Sequence, residues 1–484
     1  MKRMTEALDA QLVVIGGGGA GLPAAIAAVE NGASSVIVLE KRSVSGGNAA
    51  RAWGLFAAES WVQKQAMVDA RKEQLFKTIM DWSHWQIDPE IFRAFIWKSA
   101  DTIRWLEEKG IKFNLPRYFP NQEPPVWHVP EGRGARLMEV LAAICLERGV
   151  QLWLNTRCKK ILKTAEGNIN GVLAEKEGKD ITITTRGVVI ASGGYAGNPE
   201  LLRKYCPYFD DHIRCFGIPH DGDGLIMADE IGADTASLGH LLLEWPHVHN
   251  DPSSILASAA REPYTVYVNK RGKRFTDETN GLHAFESANA ILQQPEKTGF
   301  ILFDDAIRRS MEETGVVLGR GNDREERRRG IPGLEKQLIS AAENNPARVK
   351  ASTSWPDIAD WIGADPKVLK GALDRYNSFC DQGYDAEFAK DRRYLLALRT
   401  PPYYAIKGEL IFLNTLGGLK INEKMEVINR KGDPIPGLYS AGADTGGWEP
   451  QTYCDRLSGT ALGFSINSGR IAGENAASFV RNIN

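Results

Sequence analysis

Apolar and polar positions near the start of the chain form blocks that predict a strand, a helix and a second strand. An apolar run at 12–15 leads directly into a cluster of glycines, after which small and apolar residues continue at helical spacing up to Gly32. A second apolar run, 35–39, ends at Glu40. This order predicts a βαβ unit with a glycine-rich turn between its first strand and its helix.

Three later stretches have patterns of their own. Residues 60–110 contain AMVDARKEQLFKTIMDW and EIFRAFIWKSADTIRWLEEKG, whose apolar spacing predicts a helical segment. Residues 355–377, WPDIADWIGADPKVLKGALDRYN, predict a helix, a turn and a second helix. Residues 323–330, DREERRRG, are a run of charges that we interpret as a solvated surface.

The glycines of the first turn have the spacing of a dinucleotide-binding motif. Gly16 permits a tight turn, Gly18 lets the backbone approach a pyrophosphate, and Gly21 packs the helix against the strand. Glu40 stands 19 positions after the third glycine, where it can accept hydrogen bonds from a ribose. The loop that follows, KRSVSGGNAARAWG, continues with small residues. This favours FAD over NAD, because FAD extends further, towards its flavin.

Length, charge and cysteine usage narrow the class of protein. A chain of 484 residues is too long for one core, so more than one domain is expected. The formal net charge of −2 gives no electrostatic reason to expect nucleic acid or a membrane surface as partner. No apolar run approaches the roughly 20 residues that span a bilayer, and the first residues lack the apolar core of a secretory signal. Six scattered cysteines without a CxxC pair predict buried, reduced thiols in a cytoplasmic protein.

Motifs along almost the whole chain resemble the flavoprotein family of fumarate reductase, succinate dehydrogenase and the ketosteroid dehydrogenases. They are VVIASGGYAGN at 188–198, HDGDGLIMADEIGA at 220–233, VNKRGKRFTDE at 268–278, TLGGLKIN at 415–422, GLYSAGADTGG at 437–447 and RLSGTALGFSINSGRIAG at 456–473. The resemblance implies an α/β fold in which a split, Rossmann-like FAD-binding domain, similar to that of glutathione reductase, carries an inserted α+β capping domain. It places the FAD-binding domain at 1–239 and 414–484 and the cap at 240–413.

The same resemblance implies which residues bind FAD. They lie in the glycine turns, in the loop after the second strand and at the start of the last helix: Gly16, Gly18, Gly19, Ala20, Gly21, Glu40, Lys41, Gly46, Gly47, Asn48, Ala49, Gly54, Leu55, Ala191, Ser192, Gly193, Gly194, Asp223, Gly442, Asp444, Ser458, Gly459, Ala461 and Leu462. Ala443 stands where the family has a glutamate that helps to bind the ribitol, and we expect Asp444 to substitute for it.

Two missing motifs refine the cofactor and its electron supply. The loop GGNAARAWG lacks the histidine through which succinate dehydrogenases attach FAD, so the resemblance predicts non-covalent FAD. The chain has no haem-attachment motif, so a separate electron donor or acceptor is expected. No metal site is predicted.

Arg456 is the position that the resemblance marks for substrate binding. In the segment DRLSGT it matches the arginine that holds a substrate carboxylate in fumarate reductases. Arg261, from the proton relay, is also retained. Four other polar positions are replaced, by Leu282, Ser258, Asn414 and Trp245. The chain is therefore not expected to reduce fumarate.

A tyrosine is the leading candidate for the proton donor, as in the ketosteroid branch of the family. We rank Tyr453 first and then Tyr267, His283 and His247, with His249 as a further candidate. The other three histidines that we considered, His128, His220 and His240, are interpreted as structural or adjacent to the flavin.

The substrate is expected to carry one carboxylate or carbonyl group on an apolar body. Trp245 and Tyr264 are predicted to form a wall of the cleft, and His247 and Asn414 are also expected to bind the substrate. The predicted function is that of an FAD-dependent oxidoreductase acting on a C=C or CH–CH bond beside such a group. Two alternatives remain open: an oxidase or double-bond isomerase on the same fold, and a non-catalytic redox sensor that binds FAD.

Overall fold

The computed structural model describes residues 7–116, 124–248, 255–317 and 330–482. His249 and residues 323–329 of the charge run lie outside them. The strands are β1 Ala7–Asp9, β2 Leu12–Ile15, β3 Val36–Leu39, β4 Leu55–Phe56, β5 Phe113–Asn114, β6 Trp127–Pro130, β7 Gln151–Trp153, β8 Thr156–Lys163, β9 Ile169–Lys176, β10 Lys179–Thr184, β11 Gly187–Ile190, β12 Ile213–Cys215, β13 Thr235–Ala236, β14 Leu241–His247, β15 Val266–Asn269, β16 Gly299–Asp304, β17 Val349–Ser352, β18 Tyr403–Thr415, β19 Gly418–Leu419, β20 Glu426–Ile428 and β21 Pro434–Ser440.

The α-helices follow the same chain order. They are α1 Gly21–Glu30, α2 Trp61–Gln65, α3 Lys72–Trp82, α4 Pro89–Glu107, α5 Arg133–Glu147, α6 Pro199–Tyr205, α7 Asp223–Glu230, α8 Ile255–Ala260, α9 Ala284–Leu292, α10 Asp305–Thr314, α11 Leu334–Asn344, α12 Trp355–Ile362, α13 Pro366–Gln382 and α14 Thr460–Asn482. The helical segment predicted at 60–110 is confirmed as α2, α3 and α4. The predicted helix, turn and helix at 355–377 are confirmed as α12 and α13, the second of which continues to Gln382.

The central sheet has six strands in the order β20–β21–β11–β2–β3–β7, and only the pair β20–β21 is antiparallel. Strands β2, β3 and β11 are buried along their whole length, as expected when helices cover both faces of a parallel sheet. The predicted βαβ unit is β2, α1 and β3. The sheet combines strands from both ends of the chain, which agrees with a split domain and with the predicted α/β class.

Helix α14 packs closely on α1 through small residues. A Cβ on Gly469 would lie 2.2 Å from the carbonyl oxygen of Ala20, and one on Gly473 would lie 2.1 Å from that of Ala24. Only glycine allows the two backbones to approach so closely. This contact holds the middle of α14 against the start of α1 and the glycine turn before it.

A second sheet has the order β12–β18–β16–β15, with β14 and β17 also paired to the long strand β18. Most of its strands lie in the predicted cap, 240–413. Strand β12, however, comes from before this segment, and β18 crosses its end at residue 413. The cap sheet is therefore continuous with neighbouring chain segments, and the predicted domain boundaries stay a prediction.

The remaining strands form a four-stranded sheet, β1–β10–β9–β8, and two small sheets. Within the described residues, no helix combines the length and apolar character needed to cross a membrane. All six cysteines are free thiols; four are buried, whereas Cys215 and Cys380 are partly exposed, so the expectation of burial is not met at these two.

Candidate active site

A cavity of about 510 Å³ lies between the central sheet and the predicted cap. Its wall includes Ile15, Leu39, Ala191 and Ala441, each at or just beyond the carboxyl end of a parallel strand. Ligands of open α/β sheets bind at this edge, and the volume is typical of a small-molecule site.

Two glycines of the first turn have different structural roles. Gly16 has a φ of +107°, and a Cβ there would lie 2.2 Å from the carbonyl oxygen of Ala191. The nearest atom to a Cβ on Gly18 would be the Gly46 carbonyl oxygen, at 3.8 Å. Gly16 therefore keeps the turn tight against β11, whereas Gly18 leaves space for a ligand to approach the backbone.

Glu40 orders the loop after β3. One carboxylate oxygen accepts a hydrogen bond from the backbone N–H of Gly17, and the other accepts one from the backbone N–H of Arg42, both at 2.9 Å. The side chain is buried and lines the cavity. These bonds hold the carboxylate beside the glycine turn, and its contact with a ribose stays a prediction.

Charged side chains next to Glu40 pair with one another. Lys41 Nζ lies 2.8 Å from an oxygen of Asp221 and 3.2 Å from an oxygen of Asp223. Arg157 pairs with the other oxygen of Asp223 at 2.6 Å. Lys41, Asp223 and Arg157 line the cavity. Arg157 was not predicted as a site residue, because it lies on β8 and no sequence motif there indicates it.

Most positions predicted to bind FAD line this cavity: Gly16, Gly18, Gly19, Ala20, Glu40, Lys41, Gly47, Asn48, Ala49, Gly54, Ala191, Ser192, Gly193, Asp223, Gly442, Ser458, Gly459, Ala461 and Leu462. Gly21, Gly46, Leu55 and Gly194 do not line it. A Cβ on Gly21 would lie 1.8 Å from the Gly16 carbonyl oxygen, and one on Gly194 would lie 2.4 Å from the Thr415 hydroxyl oxygen. Gly21 and Gly194 thus allow close packing of the turns rather than forming part of the cavity wall.

Asp444 joins two turns instead of facing the cavity. Its oxygens accept hydrogen bonds from the Ser192 hydroxyl at 3.0 Å and from the N–H groups of Gly193 and Gly194 at 2.8 and 3.0 Å. Burial raises the pKa of Asp444. The carboxylate is therefore engaged by the protein itself, which corrects the expectation that it contacts a ribitol.

The phenolic oxygen of Tyr453 lies at the start of α14. It accepts hydrogen bonds from the backbone N–H groups of Gly459 at 3.1 Å and Ala461 at 3.3 Å, and all three residues line the cavity. Burial and the Glu449 carboxylate raise the pKa of Tyr453, so the phenol keeps its proton at neutral pH. A phenol held in this way is positioned to donate its own proton to a molecule in the cavity.

Arg456 lies outside the cavity. Its side chain is exposed, and its guanidinium carbon is 5.3 Å from the centre of the Trp82 ring. Tyr453 and Ser458, on either side of it in the chain, line the cavity, whereas Arg456 does not. This placement corrects the expectation that Arg456 grips a substrate carboxylate.

Trp245 was predicted to form a wall of the cleft, but it lies on the opposite face of β14. Its side chain is fully buried, and its ring centre is 4.9 Å from that of Tyr267. Leu242 and Glu244 of the same strand line the cavity instead. Because side chains alternate along a strand, Glu244 and Trp245 point to opposite faces. An irregularity in the pairing with β18 between Glu244 and His247 brings His247 back to the cavity.

Two predicted tyrosines of the cap also lie away from the cavity. Tyr267 is fully buried, and its hydroxyl donates a hydrogen bond to the carbonyl oxygen of Ala260 at 2.9 Å. Tyr264 packs edge-on against Tyr394, with 5.4 Å between the ring centres. Neither lines the cavity. The structure therefore gives Tyr267 no access to a ligand as proton donor and gives Tyr264 no place in the wall.

One end of the cavity, its cap end, is lined by three polar side chains of the predicted cap and by Asn414, which follows it in the chain: Glu244, His247, Arg261 and Asn414. Arg261 forms an ion pair with Glu244. The Nε2 atom of His247 is buried and has no hydrogen-bond partner among the described residues, and burial lowers the pKa of His247. Of these four residues, only Glu244 was not predicted from the sequence. It is the single acidic residue in the apolar stretch LLLEWPH, and that contrast could have indicated it.

His283 pairs with Asp455 beside the cavity and does not line it. Nδ1 of His283 lies 2.5 Å from Oδ2 of Asp455, and this hydrogen bond raises the pKa of His283. Glu286 lies next to them; burial and the Asp455 charge raise its pKa to about 7. The three side chains offer ligand atoms within 4.8 Å of one another. Because Asp455 and His283 already bond to each other, the arrangement does not by itself indicate a metal ion.

Comparisons with known proteins link this chain to a cofactor. A family model described as FAD binding domain matches residues 11–462. A vinyl phenol reductase from Lactiplantibacillus plantarum is 31% identical over 485 residues, which cover 97% of this chain and 96% of that protein.

Two solved structures share the fold over nearly the whole chain. The open conformation of a flavocytochrome c3 fumarate reductase has a TM-score of 0.76 at 27% identity and covers 98% of this chain and 79% of that chain. The 3-ketosteroid-Δ4-(5α)-dehydrogenase of Rhodococcus jostii, in complex with 4-androstene-3,17-dione, has a TM-score of 0.74 at 25% identity and covers 97% of each chain. The α/β fold predicted from the sequence is thus the one that these proteins share.

Proposed function

Because the chain belongs to the FAD binding domain family, we propose that its cavity holds FAD and that its substrate is a small molecule with a reducible C=C bond. The family resemblance inferred from the sequence is confirmed, and the chain is an FAD-dependent oxidoreductase that acts on C=C or CH–CH groups. This sets aside the alternative of a non-catalytic redox sensor.

The residues that line the cavity fit FAD. Gly18 leaves the backbone open where a pyrophosphate would lie, next to the amino end of α1. Glu40 is held at the end of β3, at the position of a ribose-binding carboxylate. A Cβ on Gly47 would have no atom closer than 3.7 Å, which leaves space along the loop after β3. We assign the start of α14 to the pyrimidine end of the flavin.

Tyr453 is our proposed proton donor. When bound, FAD supplies a hydride to one carbon of the double bond. The Tyr453 hydroxyl donates its proton to the other carbon, so the substrate gains two hydrogen atoms and the double bond becomes a single bond. The N–H groups of Gly459 and Ala461 stabilise the phenolate as the O–H bond breaks. The phenolate then regains a proton from water. The hydrogen bonds to this phenolic oxygen are the observation that carries the proposal.

We propose a substrate with an apolar body. Leu242, Phe216 and Phe285 line the cavity near its cap end, and the Phe285 ring centre is 4.8 Å from that of Tyr453. Two similar proteins, a vinyl phenol reductase and a ketosteroid dehydrogenase with a bound steroid, are also named for molecules with ring systems. Fumarate fits poorly, because Arg456 faces solvent.

A separate electron donor restores the reduced cofactor, and FAD is bound without a covalent link. Support for the second point is that the loop GGNAARAWG contains no histidine, cysteine or tyrosine. We also propose a cytoplasmic location, which the six free thiols support.

The function is tested by reducing the holoenzyme with dithionite without oxygen and mixing it with a panel of alkenes. Vinyl phenols, enones, enoates and fumarate are compared by the rate at which the flavin becomes oxidised. We expect ring-bearing alkenes to oxidise it and fumarate to do so poorly. Failure of every alkene would remove the proposed function. Formation of hydrogen peroxide, or rearrangement of the double bond without net oxidation, would point to the oxidase or the isomerase.

A further inference from the structure

The cap end of the cavity contains an ion pair. Glu244 is on β14 and Arg261 follows α8, and their side chains form an ion pair while being 15% and 16% exposed. Both line the cavity. A ligand at this end therefore meets a hydrogen-bond acceptor and a donor side by side, with no net charge between them.

A neutral imidazole lies close to this pair. Nε2 of His247 is buried without a partner among the described residues. Burial is the main effect that lowers the pKa of His247; Arg261 and Arg214 act in the same direction, whereas Glu244 and Glu409 oppose it. The ring is thus uncharged at neutral pH. A buried polar atom without a partner costs free energy, so a small shift of the ring that lets a ligand bond to Nε2 is favoured.

We propose that Glu244, Arg261 and His247 determine the specificity of the site by selecting a neutral hydroxyl group on a ring, such as a phenol, over a carboxylate. The hydroxyl donates a hydrogen bond to Glu244 and accepts one from Arg261 or His247. The ring packs between Leu242 and Phe285, which also line the cavity. This inference rests on the proposed reduction of a C=C bond in the same cavity.

A carboxylate is disfavoured because it would repel Glu244 and compete with it for Arg261. If the ligand took Arg261 from Glu244, the poorly solvated Glu244 carboxylate would be left next to a second negative charge, which costs free energy. Another cation in the wall is Arg51, which is exposed and donates a hydrogen bond to the carbonyl oxygen of Phe216 at 2.8 Å. A charge contact in solvent stabilises a ligand only weakly.

Binding to the oxidised holoenzyme tests the proposal without turnover. Three ligands that differ only in the head group are titrated by calorimetry: 4-ethylphenol, ethylbenzene and 4-ethylbenzoate. None carries an alkene that reduced flavin could saturate, and constant absorbance of the oxidised flavin during the titration shows that the ethyl group is not dehydrogenated. We expect 4-ethylphenol to bind about tenfold or more tightly than each of the others, the effect of one charge-assisted hydrogen bond.

Glu244→Gln should reverse the order of the two polar ligands. It removes the negative charge that repels a carboxylate beside Arg261, so 4-ethylbenzoate should bind about tenfold or more tightly than 4-ethylphenol. Glu30→Gln is the control: Glu30 pairs with Lys109 at 2.9 Å and does not line the cavity, so its variant should keep the wild-type order. If Glu244→Gln does not retain flavin, Arg261→Gln is used instead. This variant should bind 4-ethylphenol more weakly than the wild type does and should bind 4-ethylbenzoate no more tightly.

The proposal is overturned if the wild type binds 4-ethylbenzoate best, if it binds none of the three, or if the usable variant keeps the wild-type order and affinity. Failure of the proposed function is a separate outcome: 4-ethylphenol would bind, but no alkene would oxidise the reduced flavin.

Discussion

The phenolic oxygen of Tyr453 lies 3.1 Å from the backbone nitrogen of Gly459, which donates a hydrogen bond to it at the start of α14. A tyrosine that accepts from the backbone retains its own proton for a further acceptor. Because the side chain lines the cavity and is otherwise buried, a molecule in the cavity can be that acceptor. This relationship makes Tyr453 the residue to replace first.

Tyr453→Phe should slow the oxidation of the reduced flavin by an alkene by about 10²- to 10⁴-fold, the usual contribution of a positioned acid. Reduction of the flavin by dithionite should be unaffected, since it needs no proton donor for carbon. Tyr264→Phe is the matched control, because Tyr264 lies in the cap but does not line the cavity. Both reactions are measured by stopped-flow absorbance, and a Tyr453→Phe rate close to wild type would assign the proton to another group.

Arg456→Ala should change kcat/KM by no more than about threefold, because an exposed charge contributes little to a buried site. Its stacking on Trp82 contributes at most about 1 kcal/mol to stability at an exposed position. Steady-state kinetics with an alkene substrate checks this. A loss of about 10²-fold or more would show that Arg456 turns into the cavity when substrate binds, as the family resemblance implied.

The part of the site that could be predicted from sequence is the part that local backbone geometry dictates. Gly16, Gly18 and Glu40 fall within one βαβ unit, so their spacing alone places them at the end of two adjacent strands. The direction of Arg456, in contrast, depends on Trp82, which belongs to α3 and is distant in the chain. No local pattern carries that information.

The cap shows a second limit. Trp245 and Glu244 are neighbours in sequence, but strand alternation puts one in the core and the other in the cavity wall. Matching a family motif to within one residue is enough to identify the fold and not enough to identify the wall of the cleft. The pairing of Glu244 with Arg261 depends on how β14 packs beside α8, which the motif does not encode.

FAD should be released when the purified protein is precipitated with acid. The loop after β3 offers no histidine, cysteine or tyrosine for a covalent link. Absorbance of the supernatant and of the redissolved pellet measures the distribution, with a succinate dehydrogenase flavoprotein as the covalent control. Flavin that stays in the pellet would contradict the prediction, and peptide mapping would then identify the attachment residue.

Gly473→Ala should destabilise the protein by about 1–3 kcal/mol, the usual cost of overpacking a tight contact. The new Cβ would lie 2.1 Å from the carbonyl oxygen of Ala24, a backbone atom that cannot move without shifting α1. Gly371→Ala in α13 is the control, because a Cβ there meets no atom closer than 3.6 Å. It should be neutral or stabilising by about 0.4–1 kcal/mol. Chemical denaturation followed by fluorescence compares the two, and equal effects would contradict the packing of α14 on α1.

Stability should fall as the pH rises, in part because of Glu262 in the cap. Burial raises the pKa of Glu262 from its ordinary value of 4.5 to about 8, while the N–H of Val317, which donates to it at 2.9 Å, and Lys390 act in the opposite direction. The folded state therefore binds this proton more tightly than the unfolded state does. The stabilisation is fully present below pH 4.5 and is lost as the pH rises through about 8.

Glu262→Gln keeps a neutral side chain at every pH and should therefore reduce the drop in Tm between pH 5 and pH 8, which differential scanning fluorimetry measures. Glu343→Gln, an exposed position on α11, is the control and should keep the wild-type pH profile. Because other acidic groups also titrate, the informative quantity is the difference between the two variants rather than the profile of either one. Identical profiles would show that Glu262 already ionises below pH 5 in the folded protein, which requires water or a cation to reach its carboxylate.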